Sequence, residues 1–247
     1  FSEIQEKFME INDVGLLLRI IPEFKRISYL TQFDRFHALT VGQHTLKAIN
    51  VLKDIKKRDS EKNYAFSKVI FSKKFDKKPL FYSALLHDIG KGYKKDHNVL
   101  GAILAEKVLI RLNEKKSVIA ETYWLVKNHL LLSEVAFKKD IEDHSIIKKI
   151  SKNIGNLSRL RSLFLLTVAD ISAVDQGIWN YWKSSLLKKL FTKIEEEILK
   201  PLKAKSLNQK ISQIKNKVVN LKSSVKKIDL EEFSKITYPN YWLLQSP

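Results

Sequence analysis

Apolar and polar positions follow a helical period along most of the chain, and no stretch keeps the two-residue alternation of a strand. Residues 1–21 read as two short amphipathic helices ended by Pro22. After a mixed stretch, the segment 40–57 puts Val41, Leu46, Ile49, Val51 and Leu52 on or near one face. Thr40, with Gln43 three positions on, fits a capping box at its start. Helices are predicted over about 61–73 and about 78–89, the second stopped by Gly90 and Gly92. Asp96 is placed to cap a helix running to about Leu112. The next runs from about 117 to 131, and a short one over 143–153 ends at Gly155.

The segment 157–174 is apolar nearly all round between Leu163 and Ile171, which marks a central, buried helix. Residues 178–200 form a long helix with Trp179, Trp182, Leu186, Leu187, Leu190 and Phe191 inward, and Pro201 interrupts it. A Lys-rich amphipathic helix is expected over 206–228, and YPNYWLLQS is read as an extended apolar segment. The fold class expected is all-α.

Composition agrees with this picture. Hydrophobic residues make up 44% of the 247, enough for a packed core, and only 7 glycines and 5 prolines break the helices. The absence of cysteine excludes disulfides, thiolate metal sites and thiol nucleophiles, and is compatible with a reducing compartment. Apolar runs such as LLLRII are too short to span a bilayer, so no membrane partner is expected. The chain opens on Phe without a signal-peptide pattern, and it reads as a cytoplasmic fragment of something larger. The net charge of +18 comes from 45 basic and 27 acidic residues. The excess is mostly Lys spread over every helix, with few interleaved aromatics, so nucleic acid is not the expected partner.

Six residues change the picture: His44, His87, Asp88, His97, His129 and Asp170. Each alone has an ordinary structural explanation. His44 suits a half-buried structural histidine, His97 a solvated helix start, and His129 a helix end where a protonated imidazole meets the macrodipole. Asp170 is a carboxylate in an apolar run with no Lys or Arg within a helical turn. It needs a cation, a backbone donor or a distant Lys nearby. Adjacent residues on a helix diverge by about 100°, so His87 and Asp88 suit a centre approached from two sides. His and Asp donors without sulfur fit Mn, Fe, Zn or Mg. His37 and His144 have no such company and read as surface or loop residues.

The order H…HD…H…H…D on successive helices, with the context LLHDIGKG, resembles the HD superfamily of metal-dependent phosphohydrolases. HALTVGQHTL, ALLHDIGKGYKKDHNVLGA, WLVKNHLLLSEVAFKKDIED, LFLLTVADISAV and IWNYWKSSLLKKLF resemble more closely the HD domain of the bifunctional PII uridylyltransferases/uridylyl-removing enzymes. So does IPEFKRISYLTQFDRFH, and the likeness covers most of 13–195. The resemblance implies an HD-type helical bundle over 41–200. An N-terminal helical connector over 1–40 precedes it, and a basic helical linker over 201–247 leads toward regulatory domains.

The resemblance also implies hydrolysis of uridylylated PII, releasing UMP. His44, His87, Asp88 and Asp170 would hold one divalent metal, with Mn or Mg expected ahead of Fe or Zn. Asp88, His97 and His129 would hold a second. Asp88 and Lys91 are the expected catalytic residues, Lys91 to offset charge on the phosphate, and Asp96 either orients His97 or caps its helix. Asn128 stands where the family often has histidine, so the ligand is placed on His129. A generic HD nucleotidase and a non-catalytic regulatory HD scaffold are the alternatives.

Overall fold

The computed structural model describes residues 15–31, 39–55, 62–174 and 177–221, the side chains of most residues beyond 200 excepted. It falls into two units, Phe1–Glu195 and Glu196–Pro247. Among the described residues there are helices and turns but no strand; one isolated bridge joins Thr31 to Thr40. The first unit begins with two short helices, α1 (Leu17–Ile20) and α2 (Phe24–Ser28). It continues with α3 (Val41–Asp54), a 3-10 turn (Lys62–Tyr64) and α4 (Ala65–Ser72). Then come α5 (Lys78–Leu86), α6 (His97–Arg111), α7 (Lys116–Lys127), α8 (Leu131–Lys138) and α9 (His144–Ile154). Last are α10 (Leu157–Val174) and the start of α11 (Tyr181–Leu221). No helix among the described residues is long and apolar enough to cross a membrane.

The caps written in the sequence form as expected. The Thr40 side chain accepts from the Gln43 backbone while Gln43 reaches back to the Thr40 amide. Asp96 accepts from the amides of Asn98 and Val99. Gly155 closes α9 with φ 81, a conformation that glycine adopts without strain. The buried axis is α10, on which Leu163, Leu165, Leu166, Val168 and Ala169 are all fully buried. It packs against α3, α5 and α4. Phe66, Phe164 and Phe191 meet edge to face with centroids 5.2 to 5.3 Å apart.

Three expectations are corrected. The helix read as 117–131 stops at Lys127, and residues 128–130 form a turn before α8. Trp182, expected inward, is 60% exposed, its ring stacked on Phe137 at 6.0 Å. The inward stripe is Leu187, Leu190, Phe191 and Ile194. Trp182 lies five positions before it, about 140° away around the helix. Trp179 is buried, but ahead of α11, where its Nε1 donates to Asn63 O at 3.3 Å. Third, Pro201 does not interrupt the helix, because α11 runs through it to Leu221. Proline forfeits one backbone hydrogen bond, and the helix formers on both sides carry the helix past that loss. Residues 1–14, His37 and the segment YPNYWLLQS lie outside the described residues. His144 is exposed at the first position of α9, as expected.

Glu114 joins α5 to the turn after α6. It accepts from Lys78 Nζ at 2.8 Å and Tyr82 Oη at 2.5 Å. Burial opposes its charge, but these hydrogen bonds prevail and hold its pKa below the ordinary 4.5. A carboxylate so depressed stabilises the fold above its unfolded pKa, and the contribution is lost as pH falls through the folded value. Glu114→Gln should therefore cost about 1–2 kcal/mol near neutrality, at the low end because Lys78 is partly exposed. Urea denaturation near pH 7 and again below about pH 4 checks this, because the gap between variant and parent should narrow in acid.

Candidate metal centre

His87 and Asp88 sit just beyond the last residue of α5, in a turn that Gly90 and Gly92 continue. The turn is forced to its place by a close backbone crossing. A Cβ on Gly90 would lie 2.3 Å from His97 O and 2.6 Å from Gly101 N. Only glycine permits that approach, and it seats the His87-Asp88 turn against the first turns of α6. His97 is the first residue of α6. His44 lies one turn into α3, His129 in the turn after α7, and Asp170 near the end of α10. All six residues expected from the sequence are thus presented by five separate stretches of chain.

They converge around Asp88. Its Oδ2 stands 3.3 Å from His87 Nε2 and 4.0 Å from His44 Nε2. Its Oδ1 faces His129 Nε2 at 3.9 Å. Asp170 Oδ1 lies 2.9 Å from His44 Nε2 and 3.6 Å from His87 Nε2. The cation that Asp170 needs is therefore imidazole-borne or shared with the imidazoles. Two groups of three have donor atoms within 4.8 Å of one another: His44, His87, Asp88 and Asp88, His97, His129. Asp88 belongs to both. His44, His87, Asp88 and His129 are each 5% exposed or less.

The ring orientations bear on what the centre can hold. His87 Nδ1 is 3.0 Å from Ala84 O, and His129 Nδ1 is 2.7 Å from Val126 O. A carbonyl oxygen only accepts, so Nδ1 carries the proton in both rings, and Nε2 is turned toward the carboxylates. Imidazole donors to metals are usually oriented in this way by a backbone acceptor. Buried Asp88 Oδ1 and His87 Nε2 have no hydrogen-bond partner, and such atoms call for an explanation. A divalent ion taking nitrogen and oxygen donors satisfies both, so the residues fit one.

The electrostatics point the same way. Burial disfavours a charged His87, yet the negative charges of Asp88 and Asp170 beside its ring prevail and raise its pKa to about 10. Burial likewise opposes the charge on Asp88, but His87 and Lys91 hold its carboxyl far below the usual range. Asp170 is depressed against its burial by His44 and His87. His129 moves the other way, lowered by burial and by the neighbouring His87 charge, so it stays a neutral donor. Among the described residues, the negative charge of the pocket is met by the proton on His87 and by Lys91, whose Nζ is 2.7 Å from Asp88 Oδ2.

Asp96 caps α6 through the Asn98 and Val99 amides, the second of its two expected roles. Asn128 turns its Nδ2 to Trp124 O at 2.8 Å. Arg26 was not singled out from the sequence. Its guanidinium reaches the main chain of the turn beyond Lys91, a contact between residues 66 positions apart that no local pattern encodes.

The HD domain family model matches residues 41–172. The chain is 35% identical over 233 residues to the bifunctional uridylyltransferase/uridylyl-removing enzyme of Azospirillum brasilense, covering 94% of this chain and 25% of that protein. It is 39% identical over 186 residues to the enzyme of the same name from Novosphingobium aromaticivorans, and 38% over 185 residues to that of Caulobacter vibrioides. Each of those alignments covers 75% of this chain and 20% of the relative. The chain thus spans about a quarter, or less, of the length of these relatives. With the matched region holding α3, the His87-Asp88 turn and α10 past Asp170, the chain belongs to the HD domain family.

Proposed function

We propose that the chain is the uridylyl-removing module of a bifunctional enzyme. It hydrolyses the phosphodiester between UMP and a tyrosine of the PII signalling protein. The observation that carries this reading is the placement of Asp88 between two donor groups, its two oxygens turned to different histidines. The names of the relatives support removal of a uridylyl group, and the sequence resemblance supports uridylylated PII as its carrier.

In this reading His44, His87, Asp88 and Asp170 would hold one divalent ion, and Asp88, His97 and His129 a second, with Mn or Mg as the expected metal. A divalent ion bound by these residues would supply a water made nucleophilic near neutral pH and a charge to offset the phosphoryl oxygens. Lys91 holds the phosphate from the side of the Gly90–Gly92 turn. The backbone acceptors Ala84 O and Val126 O fix the His87 and His129 rings, so their donor atoms need no rearrangement. Water adds to phosphorus, the bond from phosphorus to the tyrosine oxygen breaks, and the proton that the water sheds passes to solvent and on to the released tyrosine. Tyrosine leaves as a phenolate whose free pKa is about 10, so it needs no dedicated general acid.

Incubation with uridylylated PII and Mn²⁺ should release UMP, and removal of metal by a chelator should stop release, with recovery on adding Mn²⁺. Calorimetry should find tight Mn²⁺ binding alongside. Cleavage of small nucleotides with uridylylated PII left intact would favour a generic nucleotidase instead.

A further inference from the structure

We propose that Arg26 is a positioning residue that holds the turn bearing Lys91 and so sets where that ammonium meets the substrate phosphate. The inference rests on the reading of Lys91 given above, and it extends the site into a part of the chain that the family model does not match.

The Arg26 guanidinium donates to Gly92 O through both Nε, at 3.1 Å, and Nη2, at 2.5 Å. Its Cζ stands 4.1 Å from the centroid of the Tyr93 ring. Three attractions therefore converge on the two residues that follow Lys91. On the other side, Lys91 N donates to Asp88 O at 2.9 Å, and Lys91 Nζ meets Asp88 Oδ2. Lys91 is thus held between the carboxylate of the centre and a main chain gripped by Arg26. Gly92 has φ 80, and a Cβ there would lie 3.0 Å from Leu30 Cδ2, so the turn also touches the chain just after α2.

The segment that presents Arg26 is anchored firmly enough to act as a reference. A Cβ on Gly42 would fall 2.7 Å from Ser28 Cα, so α2 lies directly on the first turn of α3, two residues before His44. Val41 N donates to Leu30 O at 2.8 Å. Arg111, at the end of α6, pairs with Glu23 at 2.8 Å and reaches Ile20 O. Residues 17–30 therefore bridge the helix of His44, the turn of Lys91 and the helix that His97 begins. Arg26 itself is exposed, so apolar burial does not explain its grip on a carbonyl 66 positions away. Fixing the position of the glycine-flanked turn that carries Lys91 does explain it.

The test uses the full chain loaded with Mn²⁺ and uridine 5′-(4-nitrophenyl) phosphate, whose aryl leaving group mimics tyrosine. Four variants are compared with the parent: Arg26→Ala, Arg26→Lys, Lys91→Ala and the Arg26→Ala/Lys91→Ala double variant. Arg26→Ala should lower kcat by about tenfold while Mn²⁺ affinity stays within about twofold, because misplacement affects turnover and not ligation. Arg26→Lys, which keeps one donor, should recover part of the loss. The double variant should be no slower than Lys91→Ala alone, since the arginine acts through the lysine.

Amide exchange at 90–93 should quicken in Arg26→Ala, with α10 unchanged. Equal, additive losses of kcat in the two backgrounds overturn the inference. So does a lowered melting temperature with kcat intact. Lys91→Ala with full activity sinks the role given to Lys91, and a parent chain that frees no nitrophenolate sinks the hydrolase reading beneath both.

Discussion

Exchange of Asp88 for alanine should abolish UMP release, by about a thousandfold or more, and remove Mn²⁺ binding with it. Among the described residues Asp88 is the one shared by both donor groups: Oδ2 is turned to His44 and His87, and Oδ1 to His129. Loss of His97 or His129 weakens one group, whereas loss of Asp88 weakens both. The same change removes the counter-charge beside His87 and Lys91. Breaking a buried charged network by taking away one partner costs about 3–5 kcal/mol. The metal-free Asp88→Ala chain should therefore unfold at lower urea concentration than its parent. Asp88→Asn separates the two effects, since it keeps the shape and an oxygen donor but loses the charge. Calorimetric Mn²⁺ titration and UMP release on the three proteins check this. A variant that binds no metal yet still releases UMP would end the metal-based account.

Gly90→Ala is the second change with a large expected effect, and it touches no donor atom. The added carbon would stand 2.3 Å from His97 O, 2.6 Å from Gly101 N and 3.0 Å from Gly101 Cα. These are backbone atoms of a fifteen-residue helix and cannot yield as a side-chain tip does. The turn carrying His87, Asp88 and Lys91 must then part from α6. A cost of about 2–4 kcal/mol is expected, seen as a fall in melting temperature of about 5–15 °C. Displacing the turn by about 1 Å should cost a further hundredfold or so in turnover. Gly101→Ala is the control. Its Cβ meets nothing nearer than 3.4 Å, so it should be markedly milder on both counts. An inverted order would mean that the crossing does not set the turn.

These two glycines illustrate which parts of the site were legible in the sequence. Local chemistry was readable: the Thr40–Gln43 cap, the Asp96 cap and the apolar walls of α10 each depend on residues within a few positions. The six chemistry-bearing residues stood out because charged or imidazole groups on apolar helices demand compensation. The sequence could give their identities but not their pairing. That His44 would face Asp170, 126 positions away, was implied only by the family resemblance. The Gly90–Gly101 crossing and the Arg26–Gly92 contact had no signal at all. A glycine at a helix end reads as a stop, and an arginine on a short helix reads as solvated surface. Trp182 failed for a related reason. Periodicity assigns a ring to a face, but a wide aromatic can lie on a neighbour such as Phe137 without entering the core.

The span between His44 and Asp170 has a consequence for when the molecule becomes competent. A growing polypeptide that has emerged only through α9 already carries His44, His87, Asp88, His97 and His129 but still lacks Asp170. It also lacks the buried axis of α10, against which α3 and α5 pack. Contacts this distant along the chain form late, after the entropy of closing the intervening loop has been overcome. The four-residue group proposed for the first ion is therefore incomplete until α10 has emerged. An ion held with Asp170 as a ligand, as proposed, would report that the bundle has closed.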